Sequence, residues 1–549
     1  GLMAAGVLMS MAAAGTQVEQ FQIEVISVMS NAFYPKQDVI LVRCSGLNLD
    51  HSGIIGGMSG SPCYIKDDKG RDRMIGAVAY GWTFNKDPIC GVQPITQMLE
   101  VAEFRNPQRR RKAHKDQAAA SAPAGSADSG RVEIGPLIAR VWDKPVGKAS
   151  CFSIFNQDIA KYAAEAPKPQ ALSGLEPLKT PVMITGCRHP QVLEFMRDIL
   201  GRFSMEPIAS GGPTATSRAQ MSAVRLEPGS VLCIPLITGD VVADALGTCT
   251  EVDGSRVLGF GHAMDAQGWV ELPLATGMVH TVVPSVMRSN KLGGSLKTVG
   301  TLWGDESTGI FGVIGKTPTM IPLEVAIDDL RGRGTYRCEV AYDPLMSAGL
   351  LAGAIMEAVY AHSEPPREHT IRYTLETEFG DLGRFKTSNF TSQGGAYGLG
   401  MAVLLPTATL MNSPFGEARV TRLKAEVKIE EGARMASVEQ VLLDRSVYKP
   451  GQTVNARVRW AHYRGEQAFT EETYSLKLPD DLDDGEYQFA SGDSRMHMSA
   501  LRSEKPHLFR AENLSELLSR FNQMASYPEN KLFLRLTLPN RGLAVKSTE

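Results

Sequence analysis

Gly56-Gly57-Met58-Ser59-Gly60-Ser61-Pro62 is the stretch on which the reading of this chain turns. A serine that acts as a nucleophile needs a tight turn that presents its Oγ. It also needs neighbouring backbone N–H groups aimed at the oxyanion that develops. Glycines on both sides permit the turn and keep side chains away from an approaching group. In this arrangement the N–H groups of Gly57 and Ser59 are the natural oxyanion donors. Ser61 precedes Pro62 and is pushed toward extended backbone, so Ser59 is the candidate nucleophile. Gly/Ser turns are common between strands, and alone the pattern is ordinary turn chemistry more often than not. The sequel makes it more specific: Met74 to Gly81 (MIGAVAYG) reads as a strand that ends in a small residue.

The surroundings are β-rich. Phe21, Ile23 and Val25 alternate with Gln20, Gln22 and Glu24, the period of a half-buried strand, and Asp38 to Arg43 (DVILVR) reads as another. A nucleophilic serine also needs a base, and the chain holds ten histidines. His262 stands apart in Val257-Leu258-Gly259-Phe260-Gly261-His262-Ala263-Met264, where a strand ends in a Gly-bracketed imidazole. A lone histidine is usually structural. His51 competes, but it precedes Ser59 on the same connection and would have to fold back through a contorted loop.

Two groups of motifs together resemble the SpoIVB-type serine peptidase family. GGMSGSP, IGAVAYGW and DPICGVQPITQML are similar to that family's serine-bearing segment. VLGFGHAMDAQGWVELPLATG resembles its G-x-G-H segment, and Gly300 to Gly315 (GTLWGDESTGIFGVIG) continues the likeness. The resemblance spans roughly 18–100 and 229–362. It implies a mainly β chain built on a chymotrypsin-like double β-barrel, with the 74–82 strand lining the primary specificity pocket. It also implies proteolysis with no cofactor and no metal, and a place outside the cytoplasm: periplasmic, cell-surface or secreted. Three features depart from the family. The serine segment precedes the histidine segment here, the strand Val42-Arg43-Cys44-Ser45 carries no carboxylate where the acid is expected, and Ala263 replaces the usual proline. The third catalytic member is thus unassigned, with Asp305 and Asp265 as candidates, and a dyad or an inactive relative stays open.

The rest of the chain sets the domain plan. At 549 residues, several domains are expected. With 43% hydrophobic and 21% charged residues the composition is ordinary for a globular protein. A net charge of -3 argues against a general nucleic-acid surface, and no nucleic-acid partner is expected. Residues 1–104 form the serine-bearing part of the peptidase unit, and 105–131 a basic, Ala/Ser/Gly-rich flexible linker. Residues 132–228 form an α/β insert, in which Val192, Phe195, Met196, Ile199, Leu200 and Phe203 make one helical stripe. The histidine-bearing part follows at 229–366, closing on a helix from Met346 to His362, and 367–430 is expected as strands around SQGGAYGLG. From 431 to 549 an immunoglobulin-like β-sandwich is expected, because Asp483, Gly485 and Tyr487 have the spacing of a tyrosine corner. The first fifteen residues fit the tail of a signal-peptide apolar region and an N-terminal strand equally well. Eight scattered cysteines show no pairing pattern, and Gly315-Lys316-Thr317 lacks the first glycine of a phosphate loop. The expected function is a serine endopeptidase acting on protein, its own chain included. The alternative is an inactive, peptidase-like scaffold or cell-surface assembly protein that binds partners through the sandwich.

Overall fold

The computed structural model describes residues 8–11, 14–33, 35–101, 131–146, 151–165, 174–187, 189–362, 364–392, 394–465 and 467–538. Strand accounts for 44% and helix for 24%, so the mainly β expectation holds. Contacts divide the chain into two units. One comprises Gly1–Ala122, Lys168–Leu323 and Tyr336–Glu357, the other Pro123–Pro167, Glu324–Thr335 and Ala358–Glu549.

In the first unit, the strands β1 (Leu8–Met11), β2 (Glu19–Met29), β3 (Val39–Ser45), β4 (Ile55–Gly56), β5 (Pro62–Lys66), β6 (Asp72–Gly81) and β7 (Ile89–Pro94) lead the chain. The alternation in β2 works as the period predicts, burying Phe21 and Ile23 and exposing Gln20, Gln22 and Glu24. Six of these strands pair antiparallel in the order β5-β1-β2-β3-β7-β6, and β6 returns to β5, so the sheet closes on itself. Closure leaves no open edge around the circuit. Its interior is filled by Met11, Phe21, Val42, Met58, Val78 and Val92.

A second circuit follows. The sheet that contains it includes β8 (Thr180–Thr185), β9 (Met205–Ser210), β10 (Val231–Gly239), β11 (Val242–Asp253), β12 (Arg256–Gly259), β13 (Gly268–Val283), β14 (Ser289–Glu306) and β15 (Gly309–Ile314). Here β11-β12-β15-β14-β13-β10 pair antiparallel in turn, and β10 returns to β11. Val231, Cys233, Leu246, Ala275 and Val279 form a core cluster inside it.

The block expected as one insert at 132–228 is divided. Residues 131–165 belong with the second unit, whereas β8 adds to β11 and carries β9 in parallel, so this half joins the second circuit's sheet. The reason is compositional: Thr180 to Ile184 are buried on both faces, as an inner strand requires. Between β8 and β9 lies α1 (Pro190–Leu200), which buries Val192, Phe195, Met196, Ile199 and Leu200. A second helix, α2 (Ser347–His362), approaches it through glycines, since a Cβ on Gly349 or Gly353 would stand 2.5 Å from Ile199 or 2.3 Å from Met196.

The second unit holds β16 (His369–Glu378), β17 (Arg384–Thr391) and β18 (Arg422–Glu431), paired antiparallel in the order β18-β16-β17. These are the strands expected over 367–430, and from the glycine-rich patch between them the chain also forms α3 (Tyr397–Met411), buried from Leu399 to Met411. A three-stranded antiparallel sheet follows, from β19 (Ala436–Leu443), β20 (Thr453–His462) and β21 (Phe469–Lys477). Then come a ribbon of β22 (Gln488–Gly492) with β23 (Phe533–Thr537) and two helices, α4 (Ser494–Glu504) and α5 (Leu514–Ala525). The corner read from the D-x-G-x-Y spacing is formed, with the Tyr487 hydroxyl donating to the Asp483 carbonyl at 2.8 Å. The linker expected at 105–131 lies outside the described residues apart from Arg131, as does most of the apolar start apart from β1. Among the described residues, no helix is long and apolar enough to cross a membrane.

Candidate active site

Ser59 lies in the connection from β4 to β5, in the first circuit. Gly57 and Gly60 take φ values of +91° and +94°, the left-handed region open to glycine, so the chain can double back around Met58 and Ser59. The turn's carbonyls are clamped by β11 of the second circuit. Thr248 Oγ1 donates to the Gly57 carbonyl (3.0 Å), Thr248 N to the Ser59 carbonyl (2.8 Å), and Thr250 Oγ1 to the Gly60 carbonyl (2.8 Å). Each clamped carbonyl fixes its own peptide plane, and with it the N–H of the following residue: Met58, Gly60 and Ser61. These three N–H groups are used within the fold: Met58 to Ile55, Gly60 to Val78 and Ser61 to Met58. The N–H groups of Gly57 and Ser59, the two expected oxyanion donors, find no acceptor among the described residues. Ser59 Oγ is buried and also unpartnered.

His262 stands just past the end of β12. Phe260 and Gly261 are both left-handed (φ +65° and +68°), and this throws the imidazole off the strand tip. A non-glycine residue held there costs on the order of 1 kcal/mol, a strain that clusters at functional sites. The tip packs on the serine turn's own circuit: a Cβ on Gly261 would lie 3.2 Å from both the Ala79 Cβ and the Val78 carbonyl. Val78 is also the residue that accepts the Gly60 N–H. Serine turn and histidine tip therefore share one wall.

The ring's protonation follows from its contacts. His262 Nδ1 lies 2.7 Å from the Ala263 carbonyl. A carbonyl only accepts, so Nδ1 carries the proton and Nε2 keeps its lone pair. Nε2 is buried without a partner. Burial pulls the imidazole down to about 4, against the opposing pull of the Ala263 carbonyl. At neutral pH the ring is thus a neutral base in the tautomer that a serine hydroxyl requires. A stability consequence follows. The unfolded imidazole takes up a proton below about 6.5 and the folded one only near 4, so stability is lost as pH falls across that window. The loss should reach roughly 3 kcal/mol. Urea unfolding of His262→Gln compared with the parent at pH 7 and pH 4.5 should show the variant losing less stability on acidification.

Neither acidic candidate touches the ring. Asp305 is buried, and its two carboxylate oxygens accept the N–H groups of Met264 (2.7 Å) and Asp265 (2.8 Å). Burial pushes it up to about 7 against the Asp265, Met264 and Ala266 N–H groups that hold it down. Asp305 thus braces the segment after His262 through backbone. Asp265 is half-buried and pushed up to about 6 by burial, opposed by the Gln267 side chain and assisted by Asp343. The place a carboxylate would take at Nδ1 is held by the Ala263 carbonyl.

Three residues of this centre carry no motif: Thr248, Thr250 and Lys291. The first two sit in a β-branched run of β11 that reads only as strand. Lys291 follows Asn290, whose backbone pairs with Gly56 ahead of the serine turn, and its side chain is fully buried. Only the burial of a cation inside a strand was available as a signal, and sequence does not display burial.

A nucleophile candidate, a neutral imidazole and two idle N–H groups thus lie on one wall, with no hydrogen bond between Ser59 Oγ and His262 Nε2. Residues 4–99 match the family model of SpoIVB peptidase S55, and over this segment the chain is similar to the SpoIVB-type serine peptidases. The match takes in Ser59 and stops ahead of His262. No curated protein and no solved structure matches the chain.

Proposed function

We propose that the first unit is a serine endopeptidase acting on protein outside the cytoplasm, its own chain among the candidate substrates. Ser59 attacks the scissile carbonyl, His262 Nε2 accepts the hydroxyl proton and returns it to the leaving amine, and the N–H groups of Gly57 and Ser59 hold the oxyanion. The observation that carries this reading is the division of labour in the turn, whose carbonyls are clamped while these two N–H groups are left over. Two closed six-stranded antiparallel circuits, one bearing the serine and one the histidine, support a chymotrypsin-like double barrel with its halves in reversed chain order. The Ala263 carbonyl stands where a triad has its acid, which favours a Ser–His dyad oriented by backbone, with Asp305 bracing the loop.

A second reading has an observation of its own. Ser59 is 0% and His262 1% exposed, and neither reactive atom has a partner. A sealed centre suits an inactive scaffold, in which residues 431–549 bind partners. The Tyr487 corner and the β19–β21 sheet are the support for an immunoglobulin-like module there. A fluorophosphonate probe separates the two. Covalent labelling of the folded chain that Ser59→Ala removes establishes the enzyme, and a folded chain that stays unlabelled establishes the scaffold.

A further inference from the structure

Lys291 is the largest departure from ordinary burial in the first unit. Its side chain is 0% exposed, a condition almost never met by an unpaired lysine. Among the described residues its ammonium has one hydrogen-bond partner, Thr248 Oγ1, at 3.4 Å. The stem lies along the serine turn, for a Cβ on Gly57 would stand 3.4 Å from its Cδ and 3.5 Å from its Cβ. Thr248 Oγ1 in turn is the group that donates to the Gly57 carbonyl. The relay thus runs from Lys291 Nζ–H to Thr248 Oγ1–H to the Gly57 carbonyl, and so to the Gly57–Met58 peptide plane, which lies between the two planes that carry the idle N–H groups.

We propose that Lys291 is a positioning residue of the serine centre: its ammonium fixes the Thr248 hydroxyl on the Gly57 carbonyl and so holds the peptide plane between the two N–H groups of the oxyanion hole. This rests on the peptidase reading above and adds a residue to it. The chemistry depends on charge. An ammonium has three donors and no acceptor, so while Lys291 is protonated the Thr248 hydroxyl can receive from it but never give to it, and its proton goes to Gly57. Once neutral, the amine offers a lone pair that competes for that proton, and the clamp on Gly57 slackens. Burial pulls Lys291 down to about 7, so this exchange falls near neutrality. The one titratable group acting on it is the Cys233 thiol of β10, which burial and Asp244 keep protonated.

The test uses the full chain and a fluorophosphonate probe, with Lys291→Met and Thr248→Val as the variants, since both keep the side-chain bulk. Lys291→Met should label roughly ten- to a hundredfold more slowly, a fraction of what losing a whole oxyanion donor costs. Thr248→Val should show a similar loss, and the double variant little more than either, because the two act in series. The parent's labelling rate should fall as pH rises through about 7, while Lys291→Met lacks that limb. A purely structural lysine would leave the pH profile unaltered. Parental labelling by Lys291→Met, a retained limb near 7, or additive losses would overturn the proposal. Hydrogen exchange of the peptide spanning residues 57–61 supplies an arm that needs no activity. Both variants should speed exchange there and leave β2 and β3 unchanged. If the parent does not label, the peptidase reading fails, and the exchange arm alone decides whether Lys291 holds the turn. Unchanged exchange sinks the proposal.

Discussion

Ser59→Ala is expected to abolish covalent labelling and turnover, with a loss on the order of a thousandfold or more, whereas Ser61→Ala should keep most of both. The two hydroxyls are two residues apart, both buried and both without partners, so exposure does not distinguish them. Backbone roles do. Ser61 N donates to the Met58 carbonyl and the Ser61 carbonyl accepts from Val78, so this residue is already part of the strand ladder leading into β5. Ser59 spends only its carbonyl, on Thr248 N, and its N–H is one of the two left idle. A nucleophile whose own N–H faces the oxyanion it creates is the geometry acyl transfer needs. Each alanine also removes a buried hydroxyl that makes no hydrogen bond, so neither variant should lose stability, and a gain of up to about 1 kcal/mol is expected. A labelling loss in Ser59→Ala with an unchanged or raised unfolding midpoint would therefore report chemistry. The reverse ranking, with Ser61→Ala the dead variant, would overturn the assignment.

The parts of this centre that were legible in the sequence are those whose chemistry demands fixed residue types at short spacing. Gly57, Ser59 and Gly60 announce a turn because only glycine tolerates φ values above +90° there, and Gly261 next to His262 does the same for the strand tip. The groups that hold the turn were not legible. Thr248 and Thr250 meet it across sequence separations of 191 and 190 residues, and nothing in a β-branched strand says which hydroxyl will find a carbonyl that far away. Asp305 reads as a possible acid, yet its carboxylate is spent on the N–H groups of Met264 and Asp265, a backbone role that residue type does not reveal. α3 was hidden for another reason. It is apolar on every side, Pro406 included, because it is buried all round, so it has no amphipathic period to read. α1 shows the contrary case, since its one buried stripe appears directly as the i, i+3, i+4 pattern.

Gly60→Ala should be among the most destabilising single substitutions in the first unit. A Cβ at Gly60 would stand 2.0 Å from the Thr248 carbonyl oxygen and 2.5 Å from the Phe260 nitrogen. Both are backbone atoms, and Phe260 N also donates to that same carbonyl at 3.3 Å. No rotamer change can relieve the contact. Either the serine turn backs away from β11, giving up the Thr248 and Thr250 clamps, or β11 and the histidine tip separate. The positive φ of 94° adds its own cost for any residue with a Cβ. Together these should amount to roughly 3–5 kcal/mol, the range of severe overpacking against fixed neighbours. Gly70→Ala supplies the control. Its φ of 73° carries a comparable backbone cost, but a Cβ there meets nothing within 4 Å, so only about 1–2 kcal/mol is expected. Native-state hydrogen exchange read peptide by peptide measures the first unit's opening separately from the second's. The difference between the two alanine variants then isolates steric contact between the serine turn and the strand that clamps it. Equal losses at Gly60 and Gly70 would mean that the turn does not rest on β11, and the clamp that organises the proposed oxyanion hole would go with it.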